Sequence, residues 1–292
     1  MNQAGALQPR RDRLLILEHG LKRGLPYLLA AFSAALLLLF RATALAPAND
    51  PQPSAPVKAV IAPQARSRIP VGEQLYYSAT WRLWPAGNAM LTLGRRGVDR
   101  EITFSAVSTG VVSVLFPVRD QIESFYDQNN FCTRSVRKNT LEGRRKLRTR
   151  IVYHLLRHKL TLQETNLSGP RPRYKHSQQA IPGCVLDLFT ALYYVRQLPL
   201  KLNEVYNFPV NEGGKTVEVR LIPDLKETVI TPAGTFHTLR AEPHIFNTAV
   251  FHRPGRMWIW FSDDRLHLPV MVKAQVSWGT IIAHLTRYEE PH

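Results

Sequence analysis

Arg256-Met257-Trp258-Ile259-Trp260-Phe261-Ser262-Asp263-Asp264-Arg265-Leu266-His267-Leu268-Pro269-Val270 is the stretch that decides the fold class. Side chains alternate faces along a strand. Trp258 and Trp260 therefore project to one side, and Met257, Ile259 and Phe261 to the other. A strand apolar on both faces needs cover on both. Ser262-Asp263-Asp264 reads as a turn, because short polar side chains bond back to the local backbone. The stretch is thus a strand, a turn and a second strand, placed centrally in a β structure.

The same period of two runs outward from it. Leu75, Tyr77, Ala79, Trp81 and Leu83 alternate with polar or aromatic neighbours, and Ala89, Leu91 and Leu93 repeat the pattern after a turn expected at Pro85-Ala86-Gly87. Ile102, Phe104 and Ala106 continue it, and Arg119 to Tyr126 follows. Val111 to Phe116 reads as either a short helix or a turn over a barrel mouth. Strands are expected again at Val205 to Val210, Thr216 to Ile222, Leu225 to Thr231, Phe236 to Ala241, Val270 to Val276 and Thr280 to Tyr288. One helix interrupts them. In Cys184 to Arg196, Leu188, Ala191, Leu192 and Val195 keep helical spacing. Asp187 suits the first turn and Arg196 the last, and Pro199 ends it. Phe189, Tyr193 and Tyr194 make it apolar nearly all round, so it is expected to lie against a sheet. The pattern predicts a mainly β sandwich or barrel of about a dozen strands with one main helix, forming a single domain over 71–290.

Residues 1–46 read as an export segment. Basic residues from Arg10 to Arg23 precede an apolar run over 25–40, and Ala42-Thr43-Ala44-Leu45-Ala46 follows. The segment is either a removed signal or a retained inner-membrane anchor; both leave the body in the periplasm. Residues 47–70, rich in proline and alanine, form a semi-extended linker. Outside the cytosol disulfides persist. The two cysteines, Cys132 and Cys184, either pair or stay as buried thiols.

The net charge is +16. Between Cys132 and Arg173 lie twelve Lys or Arg but only Glu142 and Glu164 as acids, so most of the excess sits in this segment. Arg144, Lys146, Arg148 and Arg150 alternate with Leu147, Thr149 and Ile151. In a strand this makes one cationic face and one core face. The row is either a solvated strand face or a dock for anionic headgroups, lipopolysaccharide or another polyanion. Export argues against nucleic acid.

Little here suggests catalysis. Asp263-Asp264 fits turn chemistry better than an acid/base pair. His154 and His158 lack a carboxylate at ligand spacing, and no His-Glu-x-x-His or Gly-x-Ser-x-Gly pattern occurs. No metal, cofactor or catalytic residue is expected. Trp81, Trp258, Trp260 and Tyr193 are the candidates to line an apolar cavity, with Trp84 and Trp278 nearby in type; ordinary packing is the alternative.

Several of these pieces resemble, in order, the domain-of-unknown-function 3108 family of exported bacterial proteins. They are Gly72-Glu73-Gln74-Leu75-Tyr76-Tyr77 with Trp81 and Ala86-Gly87, Asp187 to Arg196 with Pro199-Leu200, Thr231-Pro232-Ala233-Gly234-Thr235-Phe236, and Trp260-Phe261-Ser262-Asp263-Asp264 with Pro269-Val270. The resemblance implies an envelope protein with a curved antiparallel sheet. It is more distantly similar to lipoprotein carrier and receptor proteins, which wrap a half-open barrel around a helix and hold acyl chains between. No settled activity comes with the family. The expected function is therefore an exported carrier or binding protein with an apolar or amphipathic ligand and a basic docking face. The alternatives are a structural or assembly factor that meets an envelope protein, and an enzyme acting on envelope polymers.

Overall fold

The computed structural model describes residues 69–245, 255–276 and 279–291. The expected export segment, the expected linker up to residue 68 and Trp278 lie outside them. Among the described residues no helix is long and apolar enough to cross a membrane. The strands are β1 (Gln74–Trp81), β2 (Trp84–Arg96), β3 (Asp99–Ser108), β4 (Val118–Asp127), β5 (Thr133–Glu142), β6 (Arg145–His154), β7 (Lys159–Asn166) and β8 (Arg173–Ala180). After them come β9 (Tyr206–Glu212), β10 (Lys215–Thr231), β11 (Gly234–Ile245), β12 (Arg256–Ser262), β13 (Pro269–Val276) and β14 (Gly279–Glu289). Helix α1 (Gly110–Leu115) sits between β3 and β4, and α2 (Leu188–Val195) between β8 and β9.

All fourteen strands form one open antiparallel sheet in the order β8-β7-β6-β5-β4-β3-β2-β1-β14-β13-β12-β11-β10-β9. It is two meanders joined where the first strand pairs with the last. The free edges are β8 and β9, and α2 connects them in sequence. One face follows the expected alternation: Leu75 and Tyr77, Ala89 and Leu91, Ile102 and Phe104, and Ile122 are all buried. The helix lies on that face, where the Phe189 ring stacks on Phe104 at 4.7 Å. The sheet stays open, yet side chains of the first meander reach the β9 edge of the second. Lys138 of β5 forms a buried ion pair with Glu212 of β9.

Local structure departs from expectation in several places, each for a physical reason. The first hairpin turns at Arg82-Leu83, with Trp81 opposite Trp84 and Arg82 at φ 54°. Pro85-Ala86-Gly87 instead opens β2 beside a register shift at Ala79/Thr80. Gly87 is needed there, since a Cβ would come within 2.4 Å of the Val107 carbonyl oxygen. β10 is a single long strand, because a bulge between Pro223 and Leu225 absorbs the expected break. β8 was not expected at all: Arg173-Tyr174-Lys175-His176-Ser177-Gln178-Gln179 has no apolar alternation, as suits an edge strand. Val111 to Phe116 resolves in favour of the short helix.

Helix α2 starts later than the apolar run. Leu186 is still extended and forms a parallel bridge to Val210, while the Val185 carbonyl accepts from the Thr133 amide at 2.9 Å. Asp187 then caps the helix, accepting from the amides of Phe189 and Thr190 at 3.0 and 3.4 Å. The same carboxylate accepts from the hydroxyls of Ser124, Thr133 and Thr190. One buried side chain thus ties α2 to β4 and β5. Asp187→Ala removes the cap and leaves buried hydroxyls unpaired, so a loss of about 2–3 kcal/mol is expected in urea unfolding. A loss below about 0.5 kcal/mol, the level of ordinary surface changes, would contradict this role.

Candidate docking face and half-barrel interior

The structure separates the aromatic candidates. Tyr193 is fully buried on α2, on the helix face. Its ring lies under the Arg196 guanidinium at 4.9 Å, and its hydroxyl has no partner among the described residues. Burial pushes that hydroxyl's pKa well above its ordinary value, with the Glu73 carboxylate adding to the rise. Trp258 and Trp260 occupy the other face. Cross-strand register puts Trp260 in one row with Met271, His284, Ser78, Asn88, Val107, Arg119, Leu141 and Lys146, all opposite the helix.

These two tryptophans are buried by the protein itself. Trp260 Nε1 donates to Glu227 at 2.7 Å, and Trp258 lies under Arg256 at 4.6 Å and Lys273 at 5.7 Å. Ala233, at the tip of the β10–β11 hairpin, donates its amide to the Leu285 carbonyl at 3.3 Å, so the hairpin folds back over the sheet. Trp81 is partly buried at the end of β1 beside Ala274 and Ile281. No single cavity wall is formed by the four candidates.

Below Tyr193, the helix face carries its most buried polar pair. Arg196 and Glu73 are both fully buried and make two bonds of 2.6 Å each. Arg196 Nε donates to the Leu266 carbonyl at 3.2 Å, and His267 Nδ1 lies 3.3 Å from the Arg196 carbonyl oxygen. Burial alone would lower the Arg196 pKa; the Glu73 contact outweighs it and holds the group charged. Sequence had suggested for Arg196 only a helix-end dipole partner. The signal for more was Glu73, an acid directly before an apolar strand.

The turn after β12 behaves as expected. Asp264 Oδ1 accepts from the amides of Leu266 and His267 at 2.8 and 3.1 Å and from the Ser262 hydroxyl at 2.9 Å. Asp263 pairs with Lys226 at 2.8 Å. Among the described residues no group of His, Cys, Asp or Glu could hold a metal ion. Cys132 and Cys184 are joined by a disulfide.

The cationic row is largely as read. Lys146, Arg148 and Arg150 are exposed on the outer face of β6, while Leu147, Ile151 and Tyr153 are buried on the helix face. Arg144 is the exception. It lies in the two-residue turn before β6 and is exposed at the rim. None of these four groups forms an ion pair among the described residues. Their cross-strand neighbours supply no carboxylate: Arg150 faces Arg137 and Gln163, Arg148 faces Asn139 and Thr165, and Lys146 faces Leu141. The nearby Glu123 is taken by Arg137 at 3.5 Å. Arg119 of β4, exposed in the same row, extends the face and was missed, because it stands alone in a strand of mixed charge.

A β-barrel-like protein of domain of unknown function DUF1849 from Brucella abortus superposes with a TM-score of 0.50 at 9% identity, covering 77% of this chain and 99% of that one. It shares the fold. A candidate exported protein with a YmcC-like fold from Bacteroides fragilis (TM-score 0.31, 10% identity, 76% and 98% covered) is a looser likeness. So is a candidate lipoprotein from Parabacteroides distasonis (TM-score 0.32, 10% identity, 76% and 97% covered). A search of curated proteins finds no match. The family model described as protein of unknown function (DUF3108) matches residues 76–286, from β1 into β14, and the chain belongs to that family.

Proposed function

We propose that the chain is an exported, non-enzymatic binding protein of the cell envelope. It docks on anionic lipid or lipopolysaccharide through the outer face of β5–β7, and it holds an apolar or amphipathic ligand, such as the acyl chains of a lipoprotein, within its curved sheet. The observation that carries the reading is the unpaired row Lys146, Arg148 and Arg150, with Arg144 beside it. Arg150 even sits directly opposite Arg137, and like charges so placed destabilise a sheet. Glu123 pairs with Arg137 but no carboxylate pairs with Arg150, Arg148 or Lys146 among the described residues, so the face is suited to an anionic partner from outside. Export is supported by the basic and apolar segment before residue 47 and by the disulfide, since such bonds persist in oxidising compartments. The interior-ligand half of the reading is supported by the curved sheet, which stays open around α2.

The full chain is expected to bind phosphatidylglycerol vesicles more tightly than phosphatidylcholine vesicles, and the difference should fall with salt. Comparing the two compositions cancels any contribution of the apolar residues 25–40. Changing Arg148 and Arg150 together to Ala should weaken the anionic preference by about 30-fold, from about 1 kcal/mol per basic group. An unchanged preference would remove the row from the account. Organic extraction of the purified protein, read by mass spectrometry, tests the ligand; empty protein would end that half of the reading.

A second reading has its own support. Phe104, Phe189, Tyr193 and Arg196 already fill the space between helix and sheet, as they would in an assembly factor without cargo. Such a factor would crosslink to one envelope protein in cells even after all four basic residues became Ala.

A further inference from the structure

We propose that one rim of the half-barrel inserts apolar side chains into the surface of an anionic lipid bilayer. The sheet is an antiparallel meander from β1 to β8, so the connections after β1, β3, β5 and β7 share one rim. That rim exposes large apolar side chains: Leu83 (94% exposed), Trp84 (63%), Val111 (66%) and Val114 (82%), with Leu115 beside them. Other large apolar side chains are exposed elsewhere, among them Val98, Leu156 and Ile230, but here five stand at neighbouring connections of one rim, and exposed apolar side chains gathered in this way mark an interaction site.

The patch is built rather than incidental. The Thr109 amide donates to the Ala86 carbonyl at 3.1 Å and fixes the start of α1 to β2. The Gly143 amide donates to the Pro117 carbonyl at 2.8 Å and fixes the other end to the β5–β6 turn. Gly143, at φ 61°, packs so close to Phe116 that a Cβ would meet its ring at 2.5 Å. The β1–β2 turn, α1 and the β5–β6 turn therefore form one braced edge, with Arg144 at its end.

Charge selects the occupant. None of the connections after β1, β3, β5 and β7 contains an Asp or Glu, and Glu142, which ends β5 there, is buried, whereas Arg144 and Arg171 stand in them and Arg173, Arg119 and Lys146 lie close by in β8, β4 and β6. At the opposite rim cations are matched by acids: Arg134 pairs with Asp99 and Asp127, and Lys226 with Asp263. Exposed Leu, Val and Trp beside cations that form no ion pair among the described residues, with no exposed carboxylate in those connections, suit the interface of an anionic bilayer, where Trp favours the headgroup level. A protein partner of ordinary surface would meet the cations with scattered like charges.

The inference rests on the reading that the basic face meets an anionic membrane. Its test uses the full chain with one added thiol, since the native cysteines are bonded. Val114→Cys and Leu83→Cys each carry an environment-sensitive fluorophore, and Leu156→Cys (98% exposed at the opposite rim) is the control. Vesicles of phosphatidylglycerol and phosphatidylethanolamine contain a lipid-borne quencher. The labels at 114 and 83 should be quenched several-fold, and the label at 156 should not. Equal quenching at 156, or none at 114 and 83, overturns the inference. If the row Arg144 to Arg150 is still shielded from arginine modification on those vesicles, the docking reading survives without the rim. If the row is not shielded either, both fall.

Discussion

Arg196→Met is expected to destabilise the protein by about 3–5 kcal/mol, because it leaves the Glu73 carboxylate charged, buried and alone. Both partners are fully buried, and their two bonds join the end of α2 to the residue before β1. Arg196 also holds the β12–β13 turn through the Leu266 carbonyl. One guanidinium thus fastens the helix to the strand at the centre of the sheet and to the hairpin beyond it. Chemical denaturation of the single variants Arg196→Met and Glu73→Gln should show a large drop for each. The pair Glu73→Leu with Arg196→Met should recover much of it, since a well-packed apolar replacement of a buried ion pair is often nearly neutral. Single variants that unfold at the wild-type denaturant concentration would show that the pair does not hold the helix.

Loss of the disulfide is the second large effect. Cys132 and Cys184 lie 52 residues apart. Closing a loop of that length removes chain entropy worth about 4 kcal/mol from the unfolded state. The bond also sits at the foot of α2, next to Thr133, whose hydroxyl donates to the Asp187 carboxylate. Cys132→Ser with Cys184→Ser is expected to lower stability by that amount, and reductant should do the same to the wild type while leaving the double variant unchanged. Equal unfolding midpoints with and without reductant would contradict it.

The β character was legible because most strands bury one face, and the period of two survives in their sequences. β8 escaped notice because both its faces are wet, so Tyr174, His176 and Gln178 show no alternation. The start of α2 was misjudged because Val185 and Leu186 are apolar for another reason: they pair with β5 and β9. The half-turn shift of Arg144 out of the strand follows from Gly143, whose left-handed backbone makes a two-residue hairpin. Of the site, the row on β6 was visible because charge and core alternate within one strand. The rim was not, because Leu83, Val111, Val114 and Arg144 come from separate connections that only the meander brings together. Trp258 and Trp260 share a face as read, but which face could be known only from the register carried across to α2.

Chemical modification of arginine and lysine with and without phosphatidylglycerol vesicles, mapped by mass spectrometry, tests the docking face directly. Arg144, Lys146, Arg148 and Arg150 should be protected on the vesicles, while Arg265, exposed at the opposite rim, should stay reactive. Protection of Arg265 with the row left reactive, or no protection anywhere, would contradict docking through the outer face of β5–β7.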